Sequence, residues 1–446
     1  MKSSADLNDE YISLAEEDMD LLRREYADML SYSMHDASTV TEKSYIKTAY
    51  IPKIFRASDV DRLSADMDLL MGILKKVVKK CFEDASYRKL FCFTEKEEEL
   101  ILNGHYERCL LPIARFDIFY NEDTGEYKFC ELNTDGTSAM NEDRELNIGQ
   151  KKFSSNYKKF ESRYPIKTFE LFDSWVEVVL KLYGKIRQTK EKPVVAIVDF
   201  MECATIKEFI VFEEAFKRNG IKAVICDVRE LSYDGENLYD AKGNAIDVVY
   251  RRAVTTDVLN HLEESEALIN AAKEDKVLLF GDFHTQIIHN KAMSVMLCAK
   301  ETFDFLNKDE VTYLKAHFPY TKFYDRSEDM QTAITGHTKW VLKPADGYAS
   351  KGIFAGIEYS YEEWEEIVPQ IPSEHYIMQE YCEPYATLNY GQTEKDSFDK
   401  RLYNHLTGLF LYDGKLSGIY SRASIPKTFA KQEDEIALPT IVVEGL

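Results

Sequence analysis

Leu110-Leu111-Pro112-Ile113-Ala114-Arg115-Phe116-Asp117-Ile118-Phe119-Tyr120 is an apolar run with two charged residues set into it, and Tyr127-Lys128-Phe129-Cys130-Glu131-Leu132-Asn133 answers it across a short polar stretch. Between them, Asn121-Glu122-Asp123-Thr124-Gly125-Glu126 has turn chemistry. Two strands joined by such a turn read as a hairpin. Side chains two apart on a strand share a face. Arg115 therefore lies beside Asp117, and Glu131 beside Asn133. Once the strands pair, one face carries two carboxylates, an amide and a guanidinium, framed by Phe116, Ile118, Phe129, Cys130 and Leu132. Charges in so apolar a setting need partners or a metal. Oxygen donors of this kind suit Mg²⁺, which takes one or two carboxylates plus substrate phosphates. The competing reading is a surface hairpin with exposed charges at alternate positions.

Downstream, Val194-Val195-Ala196-Ile197-Val198-Asp199-Phe200 is continuously apolar, as a strand buried on both faces requires. Thr205 to Asn219 is helical and stops at Gly220. Lys222 to Asp227, Asp247 to Arg251 and Val277 to Phe280 continue the alternation, which predicts a doubly wound parallel sheet. No GxGxxG follows the first strand, so a dinucleotide is not expected. Arg251 and Arg252 end one of these strands, where Arg251 in particular could reach a substrate cleft.

From 290 onward the pattern is α+β. A helix is expected over 291–305, and a strand at Trp340-Val341-Leu342-Lys343-Pro344. A loop with two glycines follows, Ala345-Asp346-Gly347-Tyr348-Ala349-Ser350-Lys351-Gly352, then a strand over 353–357. Backbone N–H groups of such a loop can cradle phosphate while lysines neutralise it. Walker A spacing is absent, and an ordinary turn is the plainer reading. Tyr376-Ile377-Met378-Gln379-Glu380-Tyr381 is a strand whose end could offer groups to an adenine edge and a ribose. The polar stretch 391–400 reads as a loop, and 407–422 as a closing hairpin. Upstream, Tyr11 to Tyr32 and Asp59 to Phe82 carry apolar positions at helical spacing. Histidines 284 and 289 lack a third ligand at fitting spacing and read as structural.

The chain has 446 residues, with 56 Lys and Arg against 78 Asp and Glu, a formal charge of −22. That excess repels a polyanion and argues against nucleic-acid binding; it is compatible with a cationic partner. Eight cysteines show no CxxC spacing and no Cys/His cluster, which points away from a zinc ribbon and towards a reducing, cytoplasmic setting. No secretory leader or long apolar span is read, so no membrane partner is expected. No Ser/His/Asp or Cys/His nucleophile pattern is visible either.

Taken in order, R-x-D at Arg115/Asp117, E-x-N-x-D at Glu131/Asn133/Asp135, N-K-A at Asn290-Lys291-Ala292, the K-P and glycine loop at Lys343-Pro344 with Gly347 and Gly352, and G-x-x-x-R from Gly418 to Arg422 resemble the synthetase domain of the glutathionylspermidine synthase family, within the ATP-grasp superfamily. The resemblance spans 110–425 and lacks that family's N-terminal amidase domain. It implies an α+β chain with an α/β lobe: an ATP-grasp fold with a doubly wound, parallel-sheet pre-ATP-grasp lobe. The expected segments are 1–190, helical and carrying the metal-binding hairpin; 191–289, the substrate lobe; and 290–446, the nucleotide lobe with the closing hairpin.

The resemblance also implies roles. Asp117, Glu131 and Asn133 would hold Mg²⁺. Arg115 and Arg422 would stabilise charge on the transferring phosphoryl group. Lys291 and Lys343 would contact ATP phosphates, with Gly347, Ser350, Lys351 and Gly352 in the lid and Gln379, Glu380 and Tyr381 along the adenine slot. Ser138 and Glu142 keep the residue types that contact the acid substrate, whereas Gly136 and Ala139 depart from them. The implied reaction joins a small-molecule or peptide carboxylate to an amine through an acyl phosphate, releasing ADP and phosphate. A polyamine is among the candidate amines and a homodimer among the candidate assemblies. Two alternatives are a nucleotide-binding protein without ligase activity and a phosphotransferase on the same fold.

Overall fold

The computed structural model describes residues 2–39, 41, 44–346, 352–373, 375–392, 398–429 and 434–445. The N-terminal pattern folds as helices Ser4–Ala15, Met19–His35 and Ala57–Glu83. The expected helix over 11–32 is broken because Glu16-Glu17-Asp18 offers no apolar position. The Asp18 carboxylate instead accepts from the Leu21 N–H and starts a second helix. The long helix Ala57–Glu83 buries Leu63, Met67, Leu70, Ile73 and Val77 against Phe116, Ile118, Leu409 and Ile419 of the central sheet.

That central sheet is antiparallel. Its order is Glu435–Leu438, Lys415–Ser424, Phe398–Tyr412, Ile113–Tyr120 and Tyr127–Asn133, with Ala386–Gln392 on the far end of the long strand. It thus joins early and late parts of the chain. In the hairpin Asp117 faces Glu131, yet Ile118 faces Phe129, so Cys130 is an extra residue in a bulge. The bulge lets Glu131 and Asn133 stay on the charged face while Phe129 turns into the core.

The middle segment forms a parallel sheet in the order Leu278–Phe280, Val248–Arg251, Val194–Asp199, Lys222–Asp227. Both faces are apolar. Val195, Ile197 and Tyr250 pack under Trp175, Phe209 and Phe212 of helices Asp173–Arg187 and Ile206–Arg218, whereas Ala196, Val198 and Val249 meet Val258, Leu268 and Ala271 on the other side. The order reverses between Val194–Asp199 and Val248–Arg251, so a crevice opens beyond their carboxyl ends.

A third sheet is antiparallel, in the order Thr321–Phe323, Tyr376–Glu380, Trp340–Pro344, Phe354–Ala355. Here several expectations are corrected. The strand over 353–357 is only Phe354–Ala355, followed by a 3₁₀ turn at Gly356–Glu358. The helix over 291–305 is two short pieces, Ala292–Met296 and Lys300–Phe303. The supposed loop 391–400 is strand at both ends, because Ala386–Gln392 and Phe398–Tyr412 pair there; 393–397 lie outside the described residues. A further sheet has no counterpart in the sequence reading: Thr440–Val443 pairs in parallel with Lys53–Arg56 and antiparallel with Ile166–Lys167. All eight cysteines are free. Among the described residues no helix is long and apolar enough to cross a membrane.

Candidate active site

The charged face of the hairpin is where the sheets meet. Asp117 is wholly buried at 0% exposure. The Arg115 Nε and Nη2 groups donate to its two oxygens at 2.8 and 3.0 Å, and Arg422 Nη2 donates at 2.7 Å. Arg422 reaches it over Gly408, which pairs with Asp117 on the strand between them. A Cβ on Gly408 would lie 2.8 Å from Arg115 Cδ and 2.9 Å from Asp117 Oδ1, so glycine is what leaves room for the pair. The Asn133 amide nitrogen is 3.3 Å from Asp117 and 3.2 Å from Glu131. Arg422 also donates to Glu435 at 2.9 Å.

Lys291 and Lys343 arrive from the third sheet's side. Asn290 accepts from the Ala292 N–H and opens the short helix, while the Lys291 N–H donates to Ala345 O at 2.7 Å, which ties this turn to the end of strand Trp340–Pro344. Lys343 is 5% exposed and donates to Cys130 O at 3.2 Å. Burial pushes the Glu131 carboxyl up, but Lys291, Lys343 and Arg422 outweigh it and hold it at about 2. Burial lowers the Lys291 ammonium against the pull of Glu131. An ionised carboxylate between two lysines is thus built into the wall.

Three cavities surround this wall. A cleft of about 360 Å³ is lined by Glu131, Asn133, Lys291, Pro344 and Asp346 on one side and by Asp199, Thr205, Arg252 and Asp257 at the mouth of the parallel sheet on the other. A wider chamber of about 620 Å³ holds Glu142, Glu208 and Tyr420. A narrow, mainly apolar slot of about 80 Å³ lies between the third sheet and the hairpin, lined by Phe129, Val341, Lys343, Gln379, Glu380, Tyr381 and Phe429.

The expected residues divide accordingly. Glu131, Asn133, Lys291, Arg115, Arg422 and Ser138 line the cleft, and Lys343 with Gln379, Glu380 and Tyr381 lines the slot. The Gln379 side chain is already spent on Thr321. Glu142 lies in the wider chamber, accepts from the Tyr420 hydroxyl, and is pushed up by burial. Arg251 does not reach the cleft: it is 1% exposed, and its guanidinium is turned inward onto Asp135 at 2.6 Å. Its neighbour Arg252 faces the cleft instead, paired with Glu208 at 2.9 Å. On a strand, neighbours point to opposite faces, so only one of the two could do so. Gly352 closes its loop with φ +74°, while Gly347, Ser350 and Lys351 lie outside the described residues. Sequence reasoning missed Asp199, Thr205, Asp346 and Glu435. Only Asp346 stood in a motif, and the others are brought in by the parallel sheet's crevice or by the last strand of the central sheet.

Among the described residues no cluster of three or more His, Cys, Asp or Glu side chains is arranged to hold a metal ion alone. Glu131 and Asn133 do line the cleft beside Lys291, with Lys343 close behind them. That donor set fits Mg²⁺, which draws its remaining ligands from water and phosphate.

No protein-family model matches the chain, and no curated protein matches it in sequence. One solved structure shares its fold, and others align with it more loosely. A glutathione synthetase-like effector from Globodera pallida aligns over 95% of this chain and 97% of its own, with a TM-score of 0.61 at 12% identity. A candidate gamma-glutamylcysteine synthetase from Methylobacillus flagellatus aligns over 82% and 87%, with a TM-score of 0.44 at 9% identity. The ATP-grasp ligase PsnB, solved with its minimal precursor, Mg and ADP, aligns over 57% and 88%, with a TM-score of 0.30 at 11% identity. The architecture is therefore that of the glutathione synthetase-like effector.

Proposed function

We propose that the protein is an ATP- and Mg²⁺-dependent ligase that joins a carboxylate to an amine, of the kind the glutathionylspermidine synthase family represents. One observation carries the reading: two lysines from separate segments stand on either side of the half-buried Glu131 carboxylate, Lys291 in the polar cleft and Lys343 in the apolar slot beside it. The slot has the narrow, apolar character of a purine site, with Lys343 on its wall. The triphosphate would run from it along Lys343 and Lys291, and Glu131 with Asn133 would hold the cation. When bound, Mg²⁺ neutralises phosphate charge and orients the γ-phosphoryl group. Arg115 and Arg422 line the cleft on the same sheet face as Asn133, where the carboxylate that attacks γ-phosphorus would lie. Their positive charge matches the negative charge developing there. The product of that step is an acyl phosphate, whose leaving group is far better than the original carboxylate oxygen. The amine then displaces phosphate. No protein nucleophile is needed, and closure of the cleft keeps water from the intermediate.

The test is ADP release by the purified protein with ATP and Mg²⁺, across a matrix of small carboxylates and peptides crossed with amines, with mass analysis of each well. ADP that requires both partners, and a product mass equal to their sum less water, establishes the ligase and its substrates. Tight ATP binding with no turnover anywhere would instead favour a non-catalytic nucleotide-binding protein.

A further inference from the structure

The 360 Å³ cleft and the 620 Å³ chamber are lined by different residues except at five positions: Arg115, Ser138, Thr205, Arg422 and Glu435 border both. These five ring the junction through which a group in one cavity meets a group in the other. They supply two guanidiniums, two hydroxyls and one carboxylate. We propose that Glu435 is the base that takes the proton from the incoming amine, and that the wider chamber delivers that amine. The assignment rests on the ligase reading above.

Glu435 is the one carboxylate among the lining residues that borders both cavities. Glu131 is pinned between Lys291 and Lys343, where its negative charge is stabilised and its basicity lost. Asp117 is wholly buried between two arginines, and Asp135 is buried against Arg251. Glu208 is buried against Arg252. Asp199, Asp257 and Asp346 border the cleft alone, and Glu142 borders the chamber alone. Glu435 stands at the junction on strand Glu435–Leu438, held by an ion pair with Arg422. Burial raises its carboxyl against the pull of Arg422, which makes it a better base than an exposed glutamate.

A primary amine at neutral pH is an ammonium ion and has no lone pair to attack with. In the proposed step one ammonium proton passes to the Glu435 carboxylate. The freed lone pair forms the C–N bond at the acyl-phosphate carbon, and the C–O bond to phosphate breaks with its electron pair leaving on phosphate. The remaining excess proton on nitrogen goes to the departing phosphate, and Glu435 returns its own to solvent. Arg115 and Arg422, which border the same opening, hold the leaving phosphate.

The experiment compares two nucleophiles in one preparation, so that any unfolded fraction cancels. Hydroxylamine is already unprotonated at neutral pH and needs no base; spermidine, alanine and methylamine serve as protonated amines. With ATP, Mg²⁺ and an acid panel, amide and hydroxamate products are measured for wild type, Glu435→Gln and Glu435→Asp. In Glu435→Gln the amide-to-hydroxamate ratio should fall by about 100-fold, the scale of general-base catalysis, and Glu435→Asp should recover most of it. An unchanged ratio in Glu435→Gln overturns the assignment, as does a wild type that turns over hydroxylamine but none of the protonated amines. ADP release with neither nucleophile would remove the ligase reading itself, a result separable from the other two.

Discussion

The Lys343 ammonium rests on a backbone carbonyl, that of Cys130, between the slot and the cleft. A buried lysine so placed costs desolvation that an anionic ligand would offset. Lys343→Ala should weaken ATP binding about tenfold or more, the value of one charge-assisted hydrogen bond. Calorimetric titration with ATP would measure it, and unchanged affinity would remove Lys343 from the phosphate path. At this scale the sequence spoke well where a charge interrupted an apolar run. Arg115, Asp117, Glu131 and Lys343 stand out that way, and the structure gathers them around one wall. The sequence spoke badly where two like residues stood side by side. Arg251 and Arg252 differ only in which face of the strand they occupy, and that is set by the helices packed on either side.

The long strand Phe398–Tyr412 lies between the strands that carry Arg422 and Asp117, with Leu406 opposite Arg422 and Gly408 opposite Asp117. Gly408→Ala should push Arg115 and Asp117 aside, because its methyl would overlap both. Turnover in the acid–amine assay should drop about tenfold or more, while stability falls by about 1–3 kcal/mol, the usual range for overpacking. A variant with normal turnover would show that the arginine pair tolerates displacement. Elements were legible in the sequence where burial was one-sided or complete. The hairpin alternates and the parallel strands are continuously apolar, so both were plain. The paired segments 386–392 and 398–403 were not, because their partly exposed, polar residues give no period, and backbone pairing alone makes them strands. The short helices after Lys291 failed for the opposite reason: every residue of Ala292–Met296 is buried, which leaves no polar face to mark a helical phase.

Across the whole molecule, Asp143 is buried on helix Met140–Phe153 and accepts from the Thr440 N–H at 2.8 Å, tying the middle of the chain to its last strand. Burial pushes its carboxyl from 3.8 up to about 7, and Asp199 up to about 6. An acid raised in the folded state binds its proton more tightly there than in the unfolded chain. Its contribution to stability is complete below about pH 4 and is lost as pH rises through about 7, at about 1.4 kcal/mol for every tenfold difference in proton affinity. Carboxyls held low, such as Glu131, act only in more acid solution. Half-buried His289 and buried His405, held below 6.5, work in the opposite sense in the acid half of this range, so the informative quantity is a difference between two proteins. Relative to Asp143→Asn, wild type should lose melting temperature between pH 5 and pH 8. Parallel pH profiles for the two would show that Asp143 is not responsible.

Arg422 meets Asp117 across 305 positions of chain, and Thr440–Val443 closes on Lys53–Arg56. During synthesis the hairpin therefore leaves the ribosome with Asp117 held by Arg115 alone, and it waits for strands made last. At about 5–20 residues per second that interval is on the order of tens of seconds. Throughout it, the nascent chain displays the unpaired edge of strand Ile113–Tyr120, which makes this protein a natural client for chaperones that hold an unfinished chain until its far end arrives.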